Sequence, residues 1–349
     1  MRRGLQFYFC KVGNRIFATA RHVAHFVEDE RVVGRGAGRS NDGARREKRN
    51  QSPHGWEING KFPNEQRRLG CDCEHPPLQF PTMLRFTKMN GAGNDFVMID
   101  NRAGDVRLQP EQVVRICDRH RGVGADGILL LEKGSNGADF RMRYYNRDGG
   151  EAEMCGNGAR CFARFANKVA KALAKISFQT PAGLIRGELQ GDLVTLHMTE
   201  PKDLRLEVDL VANGQKERVH FINSGVPHVI VPVSKVDAVD VRKRGEALRR
   251  HEKFSPAGAN VNFIEKSGLQ EIFVRTYERG VEEETLACGT GVVASALVFA
   301  ATENVDGPIK VTVRSGSELS VDFKRAGDRF TNVTLTGPAE FAFEGTIEI

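Results

Sequence analysis

Adding 133 to a residue number in the body of this chain repeatedly lands on the same residue type. Asn90 goes to Asn223, Glu132 to Glu265, Lys133 to Lys266 and Tyr144 to Tyr277. The same offset takes Glu151 to Glu284, Cys155 to Cys288, Gly156 to Gly289, Gly158 to Gly291 and Gly183 to Gly316. One ungapped offset that joins identities gathered in blocks marks an internal duplication. Its period far exceeds a solenoid unit, so it implies two copies of a whole domain. Whatever one copy builds, the other must build again, and the two are expected to pack about a pseudo-twofold axis.

Each copy has the same order of signals. A glycine turn leads into a strand ("GNDFVMID"; "GVPHVIVPV"), followed by a helix ("PEQVVRICDRH"; "VRKRGEALRRH") and an apolar strand ("GILLLE"; "NVNFIE"). A second, apolar helix comes next, and alternating strands close the unit ("LIRGELQGDLVTLHM"; "ELSVDFKRAGDRFTNVTLT"). The expected class is α+β: two pseudo-symmetric domains, each a strand-rich sheet around a central helix. The first domain is read as residues 83–201 and the second as 202–336. The alternating tail "EFAFEGTIEI" falls beyond the second copy and reads as a strand within 337–349 that returns to the first domain.

Both apolar helices start alike, in "EAEMCGNGARCFARFA" and "ETLACGTGVVASALVFA". Each has an acidic residue four places before a Cys, then Gly, a polar residue and Gly. A Cys at a helix N-terminus sits at the positive end of the macrodipole, beside N–H groups without helical partners. That position is expected to lower a thiol pKa from about 8.5 toward neutrality. Flanking glycines let a ligand approach the backbone, and the N–H groups of Gly156, Asn157, Gly289 and Thr290 can hold a carboxylate. Packing about a twofold would bring Cys155 and Cys288 to opposite faces of one interdomain cleft. One thiolate removing a proton from a carbon, and one thiol returning a proton to the other face, inverts that carbon. The helix dipoles would stabilise the charge that develops, and the sequence offers no cofactor motif.

Other readings are weaker. The net charge of +6 lies in residues 1–82, which hold 15 Lys and Arg against 9 Asp and Glu; the remainder holds 36 of each. A balanced body gives no electrostatic reason to expect nucleic acid. The longest small-and-apolar run, Leu286 to Ala301, has 16 residues, short of the about 20 that a membrane span needs. Seven cysteines are too sparse for a disulfide scaffold and suit a reducing cytoplasm. Residues 1–82 read as an extension that is disordered, loosely attached or the product of a misplaced start. Their "CDCEH" matches no common zinc spacing, so no metal is expected. "GVGADG" (Gly122 to Gly127) satisfies G-x-G-x-x-G but has a helix before it and a strand after it, the reverse of a dinucleotide fingerprint. Cys161 and Cys117 read as core residues.

Three stretches, "MLRFTKMNGAGNDFVMID", "YYNRDGGEAEMCGNGARCFARF" and "TYERGVEEETLACGTGVVASA", closely resemble the diaminopimelate epimerase family. The resemblance covers about residues 83–349. It implies cofactor-independent interconversion of LL- and meso-diaminopimelate by a homodimer, for lysine and cell-wall synthesis. Cys155 and Cys288 would be the acid–base pair, with Cys155 facing the L-configured carbon, and His228 and Glu278 would tune the thiols. The 133 offset alone would not assign that last pair, since it matches His228 with Asp95 and Glu278 with Tyr145. The resemblance further implies that Asn94, Asn146, Asn260, Glu278 and Arg279 hold the substrate, with Gly156, Asn157, Gly289 and Thr290 on the carboxylate. Gly127 and Val226 depart from the family pattern, which often has Gln and Asn there, so contacts at those places would pass to backbone or water. The alternatives are another amino-acid racemase of the same fold, such as one like proline racemase, and a non-catalytic dithiol sensor.

Overall fold

The computed structural model describes residues 8–12, 15–19 and 83–349. Two strands, β1 (Tyr8–Val12) and β2 (Arg15–Thr19), form an antiparallel hairpin in an N-terminal unit. The other expectations for residues 1–82, "CDCEH" included, lie outside the described residues.

The body forms a separate compact unit. Its first half contains β3 (Met83–Gly91), β4 (Asn94–Asp100), α1 (Pro110–Cys117), β5 (Gly127–Lys133), β6 (Phe140–Asn146) and β7 (Glu151–Ala152). Then come α2 (Gly156–Ala170), β8 (Lys175–Thr180), β9 (Gly183–Gln190) and β10 (Leu193–His197). The second half repeats the plan with β11 (Lys202–Ala212), β12 (Gln215–Asn223), β13 (Pro227–Pro232), α3 (Val241–Arg249), β14 (Asn260–Lys266), β15 (Glu271–Glu278) and β16 (Glu283–Thr285). It continues with α4 (Gly289–Glu303), β17 (Ile309–Val313), β18 (Glu318–Ala326) and β19 (Arg329–Pro338), and the chain ends in β20 (Glu340–Glu348). The 133 offset carries the bounds of α2 onto those of α4, and the first residues of β4 and β5 onto those of β13 and β14.

The strand pairings repeat as well. One half runs β20–β3–β4–β5–β6–β8–β9–β10 and the other β11–β12–β13–β14–β15–β17–β18–β19. Antiparallel pairing of β10 with β19 joins them. The last strand, β20, therefore takes the place on β3 that β11 takes on β12. In each half two pairs are parallel, and a helix makes the crossover: α1 and α3 on the outer face, α2 and α4 inside.

Each half-sheet wraps its inner helix. Helix α2 packs on β3, β4, β5, β9 and β10, burying Phe162, Phe165 and Ala166 against Phe96, Leu129 and Phe178. Helix α4, "GTGVVASALVFAATE", is apolar around most of its surface and sits among Ile222, Ile230, Ile264 and Val274. Cys161 and Cys117 are buried in apolar clusters, and burial pushes each thiol up to about 12. "GVGADG" leads into β5 with no helix after it. Among the described residues, no helix is long and apolar enough to cross a membrane.

Candidate active site

The two inner helices meet at their N-termini. A methyl group added to Gly289 would lie 3.4 Å from the Cα of Gly156, and one added to Gly156 would lie 3.6 Å from the Cα of Gly289. The two helix starts thus lie so near each other that a methyl group on either would just reach ordinary contact with the other's backbone. Immediately before these glycines stand Cys155 and Cys288, the N-cap residues of α2 and α4, both in extended conformation. Cysteine is a poor helix cap, and neither sulfur makes a capping hydrogen bond. The N–H groups at both helix starts therefore keep their capacity for an anion.

Cys288 is buried, and Cys155 is half-buried with some access to solvent. Here the structure departs from the expectation of lowered thiol pKa values. Burial pushes both thiols up, and the negative charge of Glu278 adds to the rise. The backbone N–H groups of Gly158 and Asn157 pull Cys155 the other way, as the Thr290 hydroxyl and the Gly291 N–H do for Cys288, but they are outweighed. The N–H groups of the helix starts pull in the expected direction; desolvation is the larger effect at this depth. Ionised Cys155 further raises Cys288, so the site favours at most one thiolate.

Behind Cys288 runs a chain of buried polar groups. The Thr276 hydroxyl donates to Asn262 Oδ1 (2.9 Å), and Asn262 Nδ2 lies 3.0 Å from His228 Nδ1. His228 Nε2 is 3.0 Å from Thr290 Oγ1, which lies 3.6 Å from Cys288 Sγ. Burial, aided by the nearby Arg279, pushes the His228 pKa down to about 3, so the ring is neutral. An amide can only donate from Nδ2, so Nδ1 accepts and Nε2 carries the proton. Nε2 then donates to Thr290 Oγ1, which leaves the Thr290 hydroxyl hydrogen free to serve the sulfur. Glu278, at the end of β15, lies beside Cys288 and Thr285, and burial raises its pKa.

The depressed His228 pKa carries a stability consequence. Between about pH 3 and 6.5 the unfolded chain binds a proton at this residue and the folded chain does not, so stability falls as pH falls. The expected slope is about 1.4 kcal/mol per pH unit. Urea denaturation of the native chain and of His228→Gln at several pH values below 6.5 checks this: the variant should show a shallower fall.

Of the remaining expected site residues, Asn157 and Asn94 stand at the same junction, Asn260 lies across from His228, and Asn146 lies at the end of β6. Asn157 donates from Nδ2 to Asn94 Oδ1 (2.6 Å) and to the carbonyl of Ala287 (3.0 Å), the residue before Cys288. Its side chain thus ties the two halves together, leaving its backbone N–H for other partners. Asn94 Nδ2 donates to Asp126 (3.0 Å). Asn260 begins β14 opposite His228 and accepts from the Arg279 N–H (2.8 Å), while the Arg279 guanidinium donates to the Ala257 carbonyl (3.1 Å). Asn146 ends β6 opposite Gly127, with its backbone in the turn to Gly150. Gly127 is buried, and a Cβ there would meet the Tyr145 carbonyl at 2.5 Å and the Tyr144 ring at 2.6 Å. The Tyr144 ring fills the space that a larger side chain at 127 would need. Val226 is half-buried in the turn before β13. Asn262, Thr276 and Arg160 were not anticipated; the one available signal was a polar residue inside the apolar strand "NVNFIE".

Comparison with known proteins identifies the family. The chain matches the model of the family described as diaminopimelate epimerase over residues 86–203 and 220–342. It is 43% identical to the diaminopimelate epimerase of Aquifex aeolicus over 76% of this chain and 98% of that protein. Identity to the diaminopimelate epimerase of Chlorobaculum tepidum is 42%, over 75% of this chain and 100% of that protein. Among solved structures, a phenazine biosynthesis protein of the PhzF family from Bacillus anthracis superposes with a TM-score of 0.59 at 16% identity. That match covers 77% of this chain and 100% of the other and reflects the shared two-repeat fold. By sequence match, repeat architecture and the meeting of its two Cys-Gly helix starts, the chain belongs to the diaminopimelate epimerase family.

Proposed function

We propose that this chain interconverts LL- and meso-diaminopimelate by two-base proton transfer between Cys155, Cys288 and one α-carbon. The observation that carries this reading is the close approach of Gly156 to Gly289, which sets two N-cap cysteines beside one junction. The substrate's α-carboxylate accepts hydrogen bonds from the N–H groups of Gly156, Asn157, Gly289 and Thr290. One thiolate takes the α-proton from its face, and the other thiol protonates the opposite face. Charge that builds on the carboxylate in the transition state is stabilised by both helix N-termini. Asn94, Asn146, Asn260, Glu278 and Arg279 hold the rest of the substrate, and where Gly127 and Val226 lack amides, backbone and water make the contacts. No cofactor or metal enters this scheme. The enzyme acts in the cytoplasm as a homodimer.

The two thiols share one ionisation. Because each thiolate raises the other group's pKa, the species with one base and one acid is selected without a separate device. Both thiols are held above their ordinary value, so kcat/KM should climb with pH through the first thiol ionisation and fall once the second is lost. No inflection near 6.5 is expected, since His228 stays neutral down to about 3. A profile of kcat/KM from pH 5 to 10 checks this; a limb near 6.5 that His228→Gln removes would contradict it.

Incubation of LL-diaminopimelate with the protein in heavy water tests the function itself. Deuterium should enter Cα as meso isomer forms. A dithiol sensor would give no exchange, and a racemase for a shorter amino acid would exchange that substrate instead.

A further inference from the structure

Arg160 is fully buried, with no exposed surface. Among the described residues no carboxylate pairs with it. Its guanidinium donates to neutral oxygens only: Asn157 Oδ1 (2.9 Å), the Pro338 carbonyl (3.2 Å) and, at the limit of range, the Gly156 carbonyl (3.5 Å). Room is kept for it, since a Cβ on Gly337 would lie 3.1 Å from Arg160 Nε. Neutral acceptors satisfy hydrogen bonds but leave the charge uncompensated, and a buried unpaired charge costs several kcal/mol. A chain that retains such a group needs an anion nearby when it works.

The anion is close at hand. Arg160 stands in the second turn of α2, whose N-cap is Cys155. Its partner Asn157 reaches the Ala287 carbonyl next to Cys288, and its partner Pro338 ends β19, just before the strand β20 that returns to the first half. The ionisable groups that bear on Cys155 are Glu278 from β15, Cys288 ahead of α4, Tyr144 from β6, and Cys161 and Arg160 from α2. Of these, Arg160 is the cation; the others are neutral or become negative.

We propose that Arg160 is a positioning residue that serves as the fixed, buried counter-charge of the anion formed between the two helix starts, the Cys155 thiolate and the carboxylate beside it. The inference rests on the two-thiol reading above. The positive charge favours the one thiolate that the reaction needs, and the fork locks Asn157 so that the two halves keep their spacing. Arg160 does this without touching the reacting atoms. Its own cost of burial falls when the anion forms, so charge complementarity is greatest in the transition state rather than at rest.

The test is the pH dependence of Cys155 alkylation by iodoacetamide, resolved by peptide mass spectrometry, in native protein, Arg160→Gln and Arg160→Lys. An opposite charge nearby shifts a pKa by about 1–3 units. Arg160→Gln should therefore move the Cys155 profile at least about one unit to the alkaline side, slowing alkylation about tenfold or more at pH 8. Arg160→Lys keeps the charge and loses the fork. It should leave the profile within about threefold of native while lowering the denaturation midpoint. If Arg160→Gln does not fold, Arg160→Lys decides alone: a retained profile supports the proposal, and a profile displaced by a full unit overturns it. A folded Arg160→Gln with an unchanged profile overturns it outright. Failure of the two-thiol reading has another signature, absence of Cα exchange by the native protein in heavy water, which alkylation does not report.

Discussion

Replacing Cys155 with Ala is expected to lower epimerisation by roughly 10⁴-fold, the upper end of what a positioned acid or base contributes. Cys288→Ala should do the same, because inversion needs both faces served. Neither change should unfold the chain: Cys155 is half-buried, and the inner helices are held by apolar packing elsewhere. What separates this mechanism from a one-base alternative is the exchange pattern of the crippled enzymes. With Cys155 gone, Cys288 can still remove and return a proton on its own face, with retention of configuration. If Cys155 faces the L-configured carbon, Cys155→Ala should exchange deuterium into meso-diaminopimelate at its D-centre and leave LL-diaminopimelate untouched. Cys288→Ala should give the mirror pattern. Heavy-water incubation read by proton NMR checks both. Near-normal turnover by either variant, or the same exchange pattern in both, would remove the two-base assignment.

Much of this architecture could be read from the chain because duplication turns a difficult question into arithmetic. A residue offset of 133 marks equivalent positions, and the bounds of α2 and α4 obey it to the residue. The meeting of the two helix starts follows from pseudo-twofold packing, since an element near the axis contacts its own copy. What the offset cannot reach are features that break the symmetry. His228 falls opposite Asp95, and Asn260 opposite Gly127, so the polar network behind Cys288 has no counterpart behind Cys155. Strands β11 and β12 also escaped notice. Strand β11 is largely exposed and bulged, with Asp203 and Glu207 at positive φ, which blurs the period of two that marks a strand. Arg160 reads locally as a basic residue on an amphipathic helix. The packing of the end of β19 against it, which local sequence does not show, accompanies its complete burial. The thiol pKa values went against expectation for the same reason. A helix N-terminus is visible in sequence, but the depth at which tertiary packing places it is not, and depth sets the larger effect.

Gly291→Ala should damage both the fold and the acid–base step. A Cβ at this position would lie 2.4 Å from Asn262 Oδ1, far inside contact distance, and 3.3 Å from Cys288 Sγ. Asn262 cannot yield cheaply. It has no exposed surface and is held by Thr276, His228 and the Val229 carbonyl. Two responses are open, and both disturb the thiol. If the amide turns away, His228 Nδ1 loses its donor and the ring is free to take the other tautomer, with Nε2 no longer donating to Thr290. If α4 recoils instead, Cys288 and Gly289, which lies close to Gly156, move with it. Overpacking of this kind costs about 1–3 kcal/mol, and each buried polar group left unpaired adds about 1–3 kcal/mol more. Activity should fall by roughly 10²–10³-fold, mostly in kcat, as expected where only the acid–base step has lost its support. The double variant Gly291→Ala/Asn262→Ala separates steric damage from loss of the network. Removing the amide relieves the clash, so the denaturation midpoint should recover toward native. The network stays broken, so kcat should not recover. Recovery of both together would mean that Asn262 only fills space and that the His228 tautomer is set by something else.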